Sequence, residues 1–475
     1  MKNRGFIFVI AILIIFSWYS ISFSLQETTH EAINKHVAQS TVSGFSLNSY
    51  LINNLSFKDG FKESLKGVDA NGNEVYKKVF EWLGYGGIQE DRPGSITDYI
   101  TGKASRSVNH FHNPLKTNWD EAGLNDTFLG KSYTGQSSVL WAQNPNQNIG
   151  GKWSWKDARD YYYTALTSTN KDDREKAFAK TFRAVGQLMH LVEDASVPAH
   201  VRNDIHIPNP LYPHYEQKVE AFRTKQNIYG TFWNDLLANP ITYDKSILNI
   251  ASTHPSAPIP ISRIIDTDLY NGGNPGVTTT VFGSPQNIGI AEYTNANFLS
   301  KDTLFTHLDF NYPNTSDTVL WIDNNNREYI KKVGKGDTIN HLAVSSWLYP
   351  FRIMYFPQYT EYLPVGLDEE CYKEYASKLI PRAVGYSAGL LDYFFRGTLE
   401  ITAPDAYVSY VYSITDGSVI PQQFTRLNAK VRNTTPNEEI QGCDIQQQNC
   451  IIQAVAKYKK RTDYQPDLST DPPTA

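Results

Sequence analysis

The sequence predicts a mainly α-helical protein with a loop and short-strand insertion and a small C-terminal β-sandwich domain. Three observations predict it. Apolar residues recur every three or four positions through much of residues 28–220 and again after residue 367, the period of a helix with one buried face. Residues 241–337 shift to Pro, Gly, Asn and Thr. From residue 401 onward, β-branched and aromatic runs alternate with turn residues. With 475 residues, 40% hydrophobic and 20% charged, the chain can bury a sizeable core, which excludes a disordered or collagen-like protein.

In chain order, Met1 to Arg4 is a short positive segment and Gly5 to Ile21 is almost wholly apolar. Ser22 and Ser24 put small residues before Leu25, so residues 1–24 read as a signal peptide cleaved after Ser24, or as a membrane anchor if uncut. The mature protein is therefore expected to be secreted or extracytoplasmic. Glu31 to Leu51 and Tyr76 to Leu83 carry helical spacing, with Thr29 as an N-cap and His30 in the first turn. Trp155 to Ser168 reads likewise, and Asp172 to Asp194 is the strongest helix, with Phe178, Phe182, Val185, Met189 and Val192 on one face. A break is expected at Pro198, and helix returns from about Leu367 to Arg396. Thr278 to Phe282 reads as a short strand of the insertion. Tyr407 to Tyr412, Arg426 to Val431 and Ile451 to Tyr458 read as strands of the sandwich. The domains are then 1–24, 25–400 and 401–475. Three cysteines cannot build a disulfide framework, although Cys443 and Cys450 can bridge in an exported protein, leaving Cys371 free. The net charge of −5 and the absence of a long Lys/Arg run disfavour a basic nucleic-acid groove.

Eight of the eleven histidines lie between His30 and His214. The informative core is His190-Leu-Val-Glu-Asp194-Ala-Ser-Val-Pro-Ala-His200. On a helix His190 and Asp194 are one turn apart and face the same way, so imidazole and carboxylate can hold one metal, with His200 reaching in from past the break. A His-x3-Asp pair alone arises by chance about 0.7 times in such a chain, and the added His lowers that to roughly 0.015. Asn109-His110-Phe111-His112-Asn113-Pro114 is a second cluster, whose His-x-His on an extended loop sends both rings to one side. Gly87-Ile88-Gln89-Glu90-Asp91 offers acids on an expected loop. His206, His214, Tyr215 and Glu216 lie on a Pro-rich stretch leading to the next helix.

Together and in this order, these segments resemble the secreted bacterial zinc-dependent phospholipases C and the related fungal single-strand-specific zinc nucleases. The resemblance covers Leu25 to about Glu220 and resumes at Tyr372 to Phe395; the insertion and the C-terminal domain lie outside it. It implies an all-helical domain holding three zinc ions. Carried over by position, one zinc takes Asp91, His110, His190 and Asp194. A second shares Asp194 and takes His30 with the amine and carbonyl of Leu25, the mature N-terminal residue. The third takes His200, either His206 or His214, and Glu216. The family spacing selects His214, but its acid should follow one turn later, where this chain has Lys218. Glu216 lies on a different helix face from His214, which makes His206 the easier partner. The resemblance further implies that Asp91 orients or deprotonates a water whose pKa the zinc lowers. The implied partner is a phospholipid or other phosphodiester, with peripheral membrane contact; the C-terminal sandwich resembles only in position the membrane-docking β domain appended to some phospholipases C, and a capping or assembly domain is its equal alternative. Nucleic acid is the substrate under the nuclease alternative, and a zinc-holding surface protein without activity is a third reading.

Gly385-Tyr386-Ser387-Ala388-Gly389 fits the serine-lipase signature, but a nucleophile elbow needs a preceding strand and a His after the Ser. The preceding residues read as helix, and the last His is His341. Small residues at 385 and 389 instead suit close helix packing. A His-Glu-x-x-His zinc protease also fails, because His30-Glu31 is followed by His36 rather than a His at the required spacing.

Overall fold

The computed structural model describes residues 26–92, 105–128, 131–205, 213–250, 260–270, 288–301, 318–333, 337–345, 365–402, 413–416, 423–427 and 430–435. Residues 1–24 (expected to be a signal peptide), Leu25, His206, Thr278 to Phe282, Tyr407 to Tyr412, Ile451 to Tyr458, Cys443 and Cys450 lie outside the described residues. The chain divides into two compact units after Tyr393. Mainly helical is the correct class, with small antiparallel sheets added.

Among the described residues of the first unit the helices are α1 (Glu27–Gln39), α2 (Leu47–Leu55), α3 (Val79–Glu90), α4 (Ser138–Gln143), α5 (Trp155–Thr167), α6 (Lys171–Asp194), α7 (Pro198–Val201), α8 (Tyr215–Thr224), α9 (Gln226–Tyr229), α10 (Phe232–Ala238) and α11 (Ile290–Asn297). A final helix, α12 (Glu369–Phe395), runs up to the division between the units. None of these helices is long and apolar enough to cross a membrane.

The centre of the fold is α6. Asn170 caps it, its side chain accepting from the backbone N–H groups of Asp172 and Asp173. Every residue from Thr181 to Asp194 is buried, so the helix begins amphipathic and ends enclosed on all sides. α3 crosses it at a seam of glycines. A Cβ on Gly186 would stand 2.1 Å from the Leu83 carbonyl oxygen, and one on Gly86 would stand 2.2 Å from that of Arg183. The buried Asn34 of α1 rivets the seam, donating through Nδ2 to Leu83 O at 3.1 Å and Gly186 O at 3.0 Å.

Several local expectations need correction. The helical spacing over Glu31 to Leu51 is interrupted by a hairpin, β1 (Thr41–Val42) to β2 (Phe45–Ser46), because Ser43 and Gly44 take positive φ. Thr29 is not the N-cap: α1 starts at Glu27, and the Thr29 hydroxyl donates to Glu220. Tyr76 belongs to a strand, since β3 (Ser64–Val68) pairs with β4 (Glu74–Lys78) and α3 begins only at Val79. α3 then continues through Gly87 to Glu90, which the sequence reading had placed on a loop; the glycines are tolerated because they buy close packing rather than a turn. The break before Pro198 occurs as expected, with α6 ending at Asp194 and Pro198 opening α7.

The insertion is more structured than expected. α11 is buried along its whole length, and its Asn295 side chain donates to Val201 O at 2.7 Å. Outside the insertion, β5 (Asn125–Phe128) pairs with β6 (Lys131–Thr134). A four-stranded antiparallel sheet in the order β10-β9-β8-β7 uses β7 (Thr318–Ile322), β8 (Glu328–Lys332), β9 (Ile339–Ser345) and β10 (Val365–Gly366), so it runs past residue 337. Gly385 and Gly389 of α12 admit not a helix but the extended segment of Ile241 and Tyr243, which a Cβ at either position would strike at 2.2 Å. The second unit contributes two antiparallel pairs among its described residues, β11 (Leu399–Thr402) with β14 (Lys430–Asn433) and β12 (Ser413–Asp416) with β13 (Gln423–Leu427).

Candidate metal centre

Four elements deliver the site. α6 presents His190 and Asp194 one turn apart, with His190 Nε2 3.0 Å from Asp194 Oδ2. α1 brings His30, whose ring stacks on that of His190 at 3.6 Å and 20°. Its Nε2 lies 3.3 Å from Asp194 Oδ1. α3 ends beside them, so Asp91, its C-terminal flanking residue, sets Oδ1 3.8 Å from His190 Nε2. The loop after residue 105 brings His110, whose Nδ1 is 2.8 Å from Asp194 Oδ2, 3.6 Å from Asp91 Oδ1 and 3.3 Å from His190 Nε2. α7 adds His200, with Nδ1 3.5 Å from Asp194 Oδ2.

That loop is held in place by backbone. His112 N–H donates to His200 O at 3.0 Å, Ser138 N–H donates to Phe111 O at 2.9 Å, and Gln136 N–H donates to the Asn109 side chain. The expectation that His-x-His sends both rings the same way is wrong, because His110 is not extended; it caps a 3-10 turn in the helical region. His110 therefore enters the cluster, whereas His112 turns away to Ser137 Oγ at 2.7 Å and Asp266 Oδ2 at 2.8 Å.

All these ligand candidates are buried, and two sets of three converge: His30, Asp91 and His190; and His110, His190 and Asp194. Buried His/Asp groups that could hold a metal ion are thus present. The arrangement also asks for one. Three imidazole nitrogens crowd Asp194 Oδ2, yet neither Asp194 oxygen has a hydrogen-bond partner, nor do His30 Nε2 and His110 Nε2. Buried polar atoms without partners are costly, and a cation between them removes that cost. Burial by itself would raise the Asp194 pKa, but His190, His200 and His30 hold it well below the usual carboxylate range. Burial works against a charged His190, and Asp194 and Asp91 outweigh it, pushing its pKa up to about 10. The acids of the site therefore favour positive charge at this point.

His214 and Glu216 are both buried at the start of α8 and line a cleft with Ala199, Asp204 and Tyr372. Neither enters the convergent sets found among the described residues, whereas His200 turns its Nδ1 toward Asp194. Asp204, which the sequence reading did not single out, shares that cleft.

A second layer supports the ligands. Gly87 O lies 2.7 Å from His190 Nδ1, which directs Nε2 into the cluster. Arg106 Nη2 donates to both oxygens of Glu90 at 2.9 and 2.7 Å, and Trp141 Nε1 donates to Glu90 Oε1 at 2.8 Å, anchoring the residue before Asp91. Glu193 meets His30 Nδ1 at 2.6 Å. Glu90 and Glu193 were visible in the sequence as acids adjoining the two aspartates; Arg106, three residues before the Asn109–Pro114 segment, carried no signal of its own. Ser387, the would-be lipase nucleophile, is fully buried on α12. No family model, curated protein or solved structure matches this chain.

Proposed function

We propose that the chain is a zinc-dependent phosphodiesterase, with phospholipid as the first substrate class and phospholipase C-type cleavage as the reaction. The observation that carries the reading is the single oxygen Asp194 Oδ2, surrounded within 3.5 Å by nitrogens of His110, His190 and His200. Nitrogen and carboxylate donors in a buried, closely spaced set suit zinc, where hard-cation sites would be all oxygen.

His30, Asp91, His110, His190 and Asp194 would hold the metal, His190 being common to both convergent sets and Asp194 facing His30 through Oδ1 and His110 and His190 through Oδ2. A third ion would draw on His200, Glu216 and either His206 or His214, and Leu25 would complete the His30 side once the signal peptide is removed. Zinc so held supplies charge to a phosphate and lowers the pKa of a nearby water. Asp91 is the proton acceptor of the reading. Its Oδ1 faces both His110 and His190, and Asp91 extends from a helix end braced by the Arg106–Glu90 pair. Phospholipid is preferred over nucleic acid because the Asn109–Pro114 loop resembles the phospholipase branch and the chain carries no long Lys/Arg run.

The test is metal analysis of a chain beginning at Leu25, with parallel assays on phosphatidylcholine, single-stranded DNA and a chromogenic phosphodiester. About two to three zinc per chain are expected from the ligand number, with phosphatidylcholine turned over fastest. Faster cleavage of single-stranded DNA would move the reading to the nuclease branch. Less than one tightly bound metal per chain would overturn it altogether.

A further inference from the structure

We infer that Glu193 is a positioning residue for the metal centre: it fixes His30 so that Nε2, and not Nδ1, faces the ligand cluster. The inference rests on the metal reading above and deepens it.

His30 has two nitrogens with different surroundings. Nδ1 lies 2.6 Å from Glu193 Oε2, and Nε2 lies 3.3 Å from Asp194 Oδ1 without a hydrogen-bond partner. A carboxylate accepts and does not donate, so the proton of a singly protonated His30 belongs on Nδ1 and the lone pair on Nε2. Adjacent residues of one helix thus divide the two sides of one ring, Glu193 holding the proton side and Asp194 facing the metal side.

Glu193 is itself held. Its other oxygen, Oε1, accepts from Ser387 Oγ at 3.2 Å, and both side chains are fully buried. Ser387 sits on α12 between Gly385 and Gly389, whose open Cβ positions are filled by Ile241 and Tyr243. A chain of contacts therefore runs from α12 through α6 to α1: Ser387, Glu193, His30, metal centre. His30 and Ser387 together pair both oxygens of this enclosed carboxylate, where leaving it unpaired would be expensive. Outer carboxylates that accept from a ligating histidine are worth about 10–100-fold in metal affinity.

The experiment compares zinc affinity, by competition with a chromogenic chelator, in the full mature chain and in Glu193→Met, Glu193→Gln and Ser387→Ala. Long-range 1H–15N spectra of the zinc-loaded protein report which His30 nitrogen carries the proton. The wild type is expected to bind zinc with His30 protonated on Nδ1. Glu193→Met should weaken zinc binding about 10–100-fold and abolish the single His30 tautomer. Glu193→Gln, which keeps an acceptor oxygen without the charge, should fall between the two, and Ser387→Ala should show a smaller loss in the same direction. Wild-type affinity in Glu193→Met, or a proton on Nε2 in the wild type, overturns the inference. If Glu193→Met does not fold, wild-type affinity in both Glu193→Gln and Ser387→Ala overturns it equally. A wild type that binds no zinc instead overturns the metal reading itself, and is distinguished by needing no variant.

Discussion

Gly186→Ala puts the helix seam to a test in which even the sign is informative. In an ordinary helix interior, Gly to Ala stabilises by about 1 kcal/mol. Here the new Cβ would stand 2.1 Å from Leu83 O, against the 3.4 Å at which ordinary contact begins, a deficit of about 1.3 Å. The obstacle is backbone, which cannot rotate aside, so α3 and α6 must part. Parting them pulls on both Asn34 hydrogen bonds and on the 2.7 Å contact of Gly87 O with His190 Nδ1. Overpacking of this kind costs about 1–3 kcal/mol, enough to reverse the propensity gain. Urea unfolding followed by circular dichroism should show a lower midpoint with an unchanged slope, and zinc affinity should drop because Asp91 moves with α3. A variant as stable as the wild type, with unchanged zinc affinity, would refute the claim that this crossing sets the distance between Asp91 and His190.

The remaining predictions concern charge and processing. Asp194→Asn should reduce metal content both at the His110–His190–Asp194 set and on the His30 side that its Oδ1 faces, while Asp91→Asn should lower turnover far more than stability; metal analysis and steady-state rates separate them, and full activity in Asp91→Asn would remove it as the proton acceptor. Burial, with Asp268 nearby, pushes Asp266 up to about 7, and burial pushes Glu292 up to about 8. Both bind more protons folded than unfolded, so their stabilising contribution is present at low pH and lost as pH rises through those values. His112, lowered to about 4 by burial, acts oppositely, its loss of stability growing as pH falls below its ordinary value of 6.5, whereas His190, raised to about 10, adds to the loss as pH rises above 6.5. Metal-free protein should therefore lose stability between pH 6.5 and 8, and Asp266→Asn should lessen that loss; an equal loss in both would contradict the assignment. Finally, a chain beginning at Leu25 should bind zinc more tightly than one with a single extra N-terminal residue, because a neutral terminal amine is the expected donor. Equal zinc affinity would exclude the terminus from the site.

What the sequence determined by itself was whatever depends on local period. The helix expected over 172–194 spans Lys171–Asp194, because apolar spacing, an Asn cap and acids in the first turn all favour it independently. The same period placed His190 and Asp194 on one face, and Pro198 marked the break that lets His200 return toward Asp194. The fate of the second histidine of His-x-His was not local. It depended on a 3-10 turn at Ser107–Asn109 and on Asp266, 154 residues away, waiting for His112. The continuation of α3 through Gly87 to Glu90 was likewise decided by α6, since glycines that signal a turn in isolation permit close crossing once a second helix is present. The supports of the cluster are tertiary for the same reason: a carboxylate such as Glu193 becomes meaningful only when folding brings His30 from 163 positions away and Ser387 from 194 positions away to its two oxygens. Burial makes such pairings obligatory, and burial is a property of the packed chain rather than of any segment within it.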